Sequence, residues 1–164
     1  KDSDPDSFEI LTTPEQRRGN RVHATGPYAK DNNQVYIEGN IVSSADADSF
    51  EVLTPFFARD KNSVYSYGER LEINISECEF LEDIYVKDKS HVYFSNDLIA
   101  QADPSTFEII CEGTNLSRDK DAVFYMRKII PNADAATFES VNYSTCKDKN
   151  AIYIMRGGSW IVKN

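Results

Sequence analysis

The chain has 164 residues, 40% apolar and 12% aromatic, with 18 Lys and Arg against 27 Asp and Glu, a formal charge of −9. That composition suffices for one folded core and excludes a disordered chain. Its acidity opposes nucleic acid and anionic membranes while favouring a basic partner, and no apolar run reaches the 18 residues of a membrane span.

The first predicted element is the block Asp4-Pro5-Asp6-Ser7-Phe8-Glu9. Asp followed by Pro or Ala suits a capped one-turn helix, because the carboxylate accepts the first unpaired backbone N–H groups. Ile10-Leu11 then reads as a short strand. Thr13 to Thr25 is polar and Arg-rich and predicts an inserted loop or a divergent capping segment. Next comes Lys30-Asp31-Asn32-Asn33-Gln34-Val35-Tyr36. Tyr28 stands three before the Asp, and Val35 and Ile37 alternate after it, which predicts two strands joined by an Asp-stabilised turn.

Both blocks return along the chain. The turn motif recurs at Arg59-Asp60-Lys61, Lys87-Asp88-Lys89, Arg118-Asp119-Lys120 and Lys147-Asp148-Lys149, so the repeat aspartates step by 29, 28, 31 and 29 residues. The Asp-x-x-Ser/Thr-Phe-Glu block recurs from Asp46, Asp103 and Asp134, with a degraded copy at Ser76 through Phe80. A period near 29 predicts stacked supersecondary units. The units are approximately 4–42, 43–71, 72–100, 101–130 and 131–164, within a single repeat domain spanning 1–164. Each is expected to hold two to three short antiparallel strands and a one-turn helix. The fold class is therefore all-β, an open, curved or solenoid-like stack of five hairpin repeats, with a closed propeller- or barrel-like array as the alternative. The position five after each Asp is Tyr36, Tyr65, Tyr93, Phe124 and Tyr153. Recurrence in every unit favours an internal ladder of rings over an exposed binding surface.

Lys-Asp-Lys-Asn followed by an apolar residue and Tyr, with the Phe-Glu block upstream, resembles the bacterial DKNYY repeat family. The resemblance runs from about Asp4 to Ile154. The second Tyr of the family motif is replaced by Ile37, Ser66, Phe94 and Ile154, and Asn32 replaces Lys in the first copy. Membership implies bacterial origin and frequent export, so periplasm or cell envelope is favoured over cytoplasm. It implies no enzymatic activity, catalytic residue or cofactor.

The residues themselves point the same way. His23 and His91 lack a metal-ligand partner at helical or hairpin spacing. Asp31-Asn32-Asn33 opens like a calcium loop, but Val35 stands where an oxygen ligand belongs. Cys78, Cys111 and Cys146 show no Cys-x-x-Cys spacing and read as small packing residues, with a Cys111–Cys146 pair left open. No catalytic, cofactor or metal residue is expected. Off-pattern Tyr67, Tyr143 and Trp160 are expected to be exposed. Glu69, Glu72, Glu77, Glu79, Glu82 and Asp83 form the densest acidic group, although acids are spread through all units. Tyr67, Glu69, Glu72, Glu79, Glu82, Asp83, Tyr143 and Trp160 are the candidate partner-binding residues. A non-enzymatic protein-binding module is expected, most concretely an immunity or inhibitor protein capping a basic toxin. A cell-envelope structural or glycan-binding module is the alternative.

Overall fold

A computed structural model describes residues 4–13 and 28–163. The predicted inserted segment from Thr13 to Thr25 and His23 therefore lie outside the described residues, except for Thr13 itself, which is buried. The chain divides into two compact units, Lys1–Val86 and Lys87–Asn164.

Among the described residues, five four-stranded sheets follow one another along the chain, and none closes on itself. The first holds β1 (Glu9–Ile10), β2 (Tyr28–Lys30), β3 (Val35–Ile37) and β4 (Asn40–Ile41). The second holds β5 (Glu51–Val52), β6 (Phe57–Arg59), β7 (Val64–Ser66) and β8 (Glu69–Arg70). β9 (Glu79–Leu81), β10 (Tyr85–Lys87), β11 (Val92–Phe94) and β12 (Asp97–Leu98) make the third. The fourth comprises β13 (Glu108–Cys111), β14 (Leu116–Arg118), β15 (Val123–Tyr125) and β16 (Lys128–Ile129), and the fifth β17 (Glu139–Asn142), β18 (Thr145–Lys147), β19 (Ile152–Arg156) and β20 (Ser159–Val162). Each sheet runs in simple sequence order along its edge, as a meander.

The all-β class matches the sequence reading, with two corrections. Each copy contains four strands where two to three were expected, because strands of two to five residues let four fit in one repeat. The one-turn helices are absent among the described residues. The Asp-x-x-Ser/Thr blocks form plain turns, held by a single backbone bond such as Thr106 N–H to Asp103 O at 3.2 Å or Thr137 N–H to Asp134 O at 3.2 Å. In the second, fourth and fifth copies the Phe that follows drops into the core and the chain becomes extended, which ends the turn before a second helical bond forms.

The hairpin around each repeat Asp is as predicted. β2–β3, β6–β7, β14–β15 and β18–β19 pair antiparallel, with the residue before the Asp opposite the residue four after it, as in Arg59–Val64. A second hairpin follows. Tyr67 and Gly68 turn between β7 and β8 at φ of 50° and 80°, the left-handed pair that matches strand twist. Gly68 is required for space as well as for φ: a Cβ there would stand 2.8 Å from Ile37 Cγ2, and its N–H donates to the Tyr28 hydroxyl at 2.8 Å.

Cores form between successive sheets. In Lys1–Val86, Tyr28, Val35 and Val42 of the first sheet pack against Phe50, Val52, Ala58 and Tyr65 of the second. In Lys87–Asn164, Leu116, Val123 and Ile130 pack against Phe138, Cys146, Tyr153 and Trp160. The five-after column is buried throughout. Four of its five rings meet the Phe of their own turn block: Phe8–Tyr36 at 5.9 Å, Phe50–Tyr65 at 5.5 Å, Phe107–Phe124 at 6.1 Å and Phe138–Tyr153 at 5.3 Å. Contact between sheets comes from the ring three before the Asp, with Tyr28–Phe50 at 5.1 Å and Phe57–Phe80 at 5.5 Å.

Candidate functional site

The two repeated motifs form one hydrogen-bonded clasp. In the second copy, Asp60 Oδ1 accepts the N–H groups of Asn62 (2.7 Å) and Ser63 (2.8 Å), which closes the β6–β7 turn. Asp60 Oδ2 accepts the N–H of Asp46 at 2.9 Å and the hydroxyl of Tyr65 at 2.9 Å. Asp46 in turn accepts from Ser49 Oγ at 2.6 Å and from Lys61 Nζ at 2.6 Å, while Ser49 Oγ accepts the Lys61 N–H at 3.1 Å. The clasp repeats between Asp148 and Asp134, with Lys149 Nζ 2.7 Å from Asp134, and between Asp119 and Asp103, with Lys120 paired to Asp103. In the first copy the Asp4 N–H bonds to Asp31 Oδ2 at 2.9 Å, and Asn32 stands where the later copies have Lys.

These bonds fix the protonation of the groups that make them. Burial opposes ionisation of Asp60, but the N–H groups of Asp46, Asn62 and Ser63 and the Tyr65 hydroxyl together hold its carboxyl below the ordinary value. The Asp4 N–H and the Tyr36 hydroxyl hold Asp31 well below the usual carboxylate range. The Lys61 ammonium, then Ser49, lower Asp46 to about 2. Burial and the Asp60 carboxylate push Tyr65 up to about 12, and burial and Asp148 do the same to Tyr153. Each such carboxylate stays ionised and each such phenol stays protonated across the neutral range.

The third copy shows where its block is registered. Asn74 stands 14 residues before Asp88, as Asp46 does before Asp60, and Asn74 Oδ1 accepts the Ser76 N–H at 3.1 Å. Cys78, not Phe80, therefore occupies the position of the buried Phe, with Glu79 in the place of Glu51. Phe80 instead packs on Phe57.

The predicted partner residues divide between the two compact units. Tyr67 is exposed on its hairpin turn, edge-on to Phe56 at 6.2 Å. Glu69 in β8, Glu72, Glu79 in β9 and Asp83 are exposed, and Glu82 is half-buried. All of these lie in Lys1–Val86. In Lys87–Asn164, Tyr143 is 82% exposed, as expected. Trp160 is not exposed. It is 7% accessible and packs T-shaped on Tyr125 at 6.4 Å, because β20 turns that face inward onto the core.

Charge also divides. Lys1–Val86 contains 17 Asp and Glu against 8 Lys and Arg, net −9, whereas Lys87–Asn164 contains 10 of each, net zero. The acids are thus not spread evenly in effect: the whole net charge belongs to one unit. Reading acids without their neighbouring cations hid this.

A groove of about 670 Å³ between β13 and β17 was not foreseen. Ile109, Cys111, Phe138, Val141 and Tyr143 line it, and both strands shift register there, at Ile109/Cys111 and Ser140/Asn142. Arg118 closes one end, its Nε 2.6 Å from Glu108 and its Nη1 bonded to the carbonyls of Ala135 (3.0 Å) and Phe138 (3.3 Å). All three cysteines are free thiols. Burial pushes the Cys146 thiol up to about 11, which makes it a poor nucleophile at neutral pH.

The profile of the DKNYY family matches residues 1–128. The chain belongs to the DKNYY family. The matched stretch ends at Lys128 in β16, and the fifth copy repeats the clasp beyond it through Asp134 and Asp148. No curated protein and no solved structure matches this DKNYY chain.

Proposed function

We propose that this DKNYY chain is a non-enzymatic protein-binding module of bacterial origin whose partner is net basic, most concretely an immunity or inhibitor protein capping a basic toxin in the periplasm or cell envelope. The concentration of the whole −9 charge in Lys1–Val86 carries this reading. Within that unit, Glu69, Glu72, Glu77, Glu79, Glu82 and Asp83 fall in fifteen residues that contain one cation, Arg70. A field of that kind accelerates encounter with a basic surface and selects for it, while exposed rings such as Tyr67 supply affinity at the contact. The repeat carboxylates Asp31, Asp60, Asp119 and Asp148 are committed to the clasp. A run of exposed Tyr and Trp along one groove would favour the glycan-binding alternative, and Trp160 is buried.

Affinity capture from the source bacterium with the wild-type chain and with Glu72→Lys/Glu79→Lys/Asp83→Lys tests this. A captured protein that is net basic, is lost with the triple variant and associates more slowly as salt rises supports the reading. A partner with an acidic surface, or an association rate indifferent to salt, overturns it. So does turnover of a substrate by the purified chain that is abolished by one polar substitution without unfolding.

A further inference from the structure

Successive sheets dock through two complementary halves, and the structure shows both halves covered and uncovered. The first half is a sheet face carrying the residue four after the repeat Asp and the cation one before it. Val35, Val64, Val92 and Val123 hold the former position and are 0–1% exposed. The cations reach into the next copy's turn: Lys30 Nζ donates to Ala47 O at 3.0 Å, Lys87 Nζ to Pro104 O at 3.3 Å and Phe107 O at 3.1 Å, and Arg118 to Ala135 O and Phe138 O. The second half is the Phe of that turn. Phe50, Phe107 and Phe138 are 2–4% exposed.

The fifth sheet presents the first half uncovered. Ile152 takes the valine position and is 46% exposed, and Ile161, opposite Ile154 on the same face, is exposed beside it. Lys147 takes the cation position, half-exposed, with its ammonium 2.8 Å from Glu139. The first copy leaves the turn part of the second half open, although Ala29 and Tyr36 of the same sheet are buried. Phe8 is 46% exposed, with Ile10 exposed next to it.

We propose that the turn at residues 4–10 of one copy docks on the β17–β20 face of a second copy, placing Phe8 over Ile152 and bringing Lys147 to the carbonyls of Pro5 and Phe8. Those carbonyls hold the same motif positions as Pro104 O and Phe107 O, which accept from Lys87. The occupant follows from continuity with the sheet-to-sheet contact already seen within each unit. Charge selects the same arrangement. A head-to-tail contact sets the unit of charge −9 in one copy against the neutral unit of the other, whereas a two-fold contact between acidic units would set −9 against −9. Thr145 replaces the ring that Tyr28 contributes in the first copy, so the contact between chains lacks one aromatic pair and is weaker than those within the chain. Association therefore depends on concentration. Because the two halves differ, it is heterologous and continues past the dimer into rings or open chains.

Sedimentation velocity over a series from micromolar to millimolar protein tests this on the whole chain. The expected result is a mass that rises beyond the dimer in the wild type, with Phe8→Asp and Ile152→Asp each monomeric throughout. An equimolar mixture of the two variants should give dimers and nothing larger, since each retains one intact half. Ile10→Asp replaces Phe8→Asp, and Lys147→Glu replaces Ile152→Asp, should either variant melt below the wild type. A wild type that is monomeric at millimolar concentration, an oligomer that stops at the dimer, an assembly that survives both substitutions, or a mixture that stays monomeric overturns the proposal.

Discussion

The Asp60 turn of the second sheet and the Asp119 turn of the fourth share their backbone bonds to the carboxylate and differ in whether a phenol joins them. Asp119 Oδ1 accepts from Asp121 and Ala122, both at 2.8 Å, and Oδ2 accepts the Asp103 N–H at 2.8 Å. Asp60 makes the same three bonds within 0.1 Å of these lengths and accepts a fourth from Tyr65, where the fourth sheet has Phe124. Both rings are essentially inaccessible to solvent. The backbone amides thus set the position of the carboxylate, the ring fills the core, and the phenol is an addition that one copy does without.

The largest test of that comparison removes the carboxylate. Asp60→Ala leaves three N–H groups without their acceptor and the Tyr65 phenol with only the Ser44 carbonyl at 3.3 Å, and should cost about 3–4 kcal/mol in urea unfolding, with Asp119→Ala costing less because no phenol bond is lost there. Equal losses would show that the phenol contributes nothing. Next in size is the hydroxyl alone: Tyr65→Phe should cost about 1–2 kcal/mol, and Phe124→Tyr should recover less than about 1 kcal/mol, since its hydroxyl enters a core packed without it. A Phe124→Tyr variant that melts lower than the wild type would mean the fourth sheet is shaped against the phenol.

Alkaline titration sharpens the same contrast. Tyr65 and Tyr153 ionise at about 12 in the folded chain against 10.0 for a tyrosine without a partner. Above pH 10 the unfolded chain releases these protons first, so their contribution is complete below pH 10 and is lost as pH rises through about 12. Tyr65→Phe should flatten the fall of the melting temperature across that window. Asp60 works in the opposite direction: its lowered value gives stability that is present above 3.8 and lost as pH falls through the folded value. The smallest expected effect concerns the exposed pair. Lys61→Ala should shift the melting temperature less than any substitution above and only at low salt, and Asn32→Lys, which supplies the missing cation of the first copy, should be as slight.

Much of this was legible in the sequence, for identifiable reasons. The repeat, the Asp-centred hairpin and the buried five-after ring depend on residues within seven positions of one another, and period-2 patterning reports them directly. The fourth strand of each sheet was missed because Asn40–Ile41 or Glu69–Arg70 is too short to show any period. The clasp was missed because Asp46 and Asp60 each looked sufficient as a local turn former, and nothing in spacing says that one caps the other. Cys78 was misaligned because a neighbouring Phe offered a closer match than a thiol in the ring's place. Trp160 looked exceptional because it broke the repeat, but a residue outside a pattern can still be core when β20 adds a longer hairpin. For the partner surface, no residue type is diagnostic, and only the division into two units revealed where the charge lies.

The reach of the clasp also bears on how the chain folds. The bonds that tie a turn block to its hairpin span 14 residues for Asp46 to Asp60, 16 for Asp103 to Asp119 and 14 for Asp134 to Asp148. The cation bonds linking neighbouring copies span 17 to 20. For an all-β protein these are short loops to close, and the search for partners stays local. Any clasped copy can then act as a nucleus on which its neighbours zip, so refolding should be quicker than for a β-sandwich of this length, and a substitution such as Asp119→Ala should slow it less than it speeds unfolding.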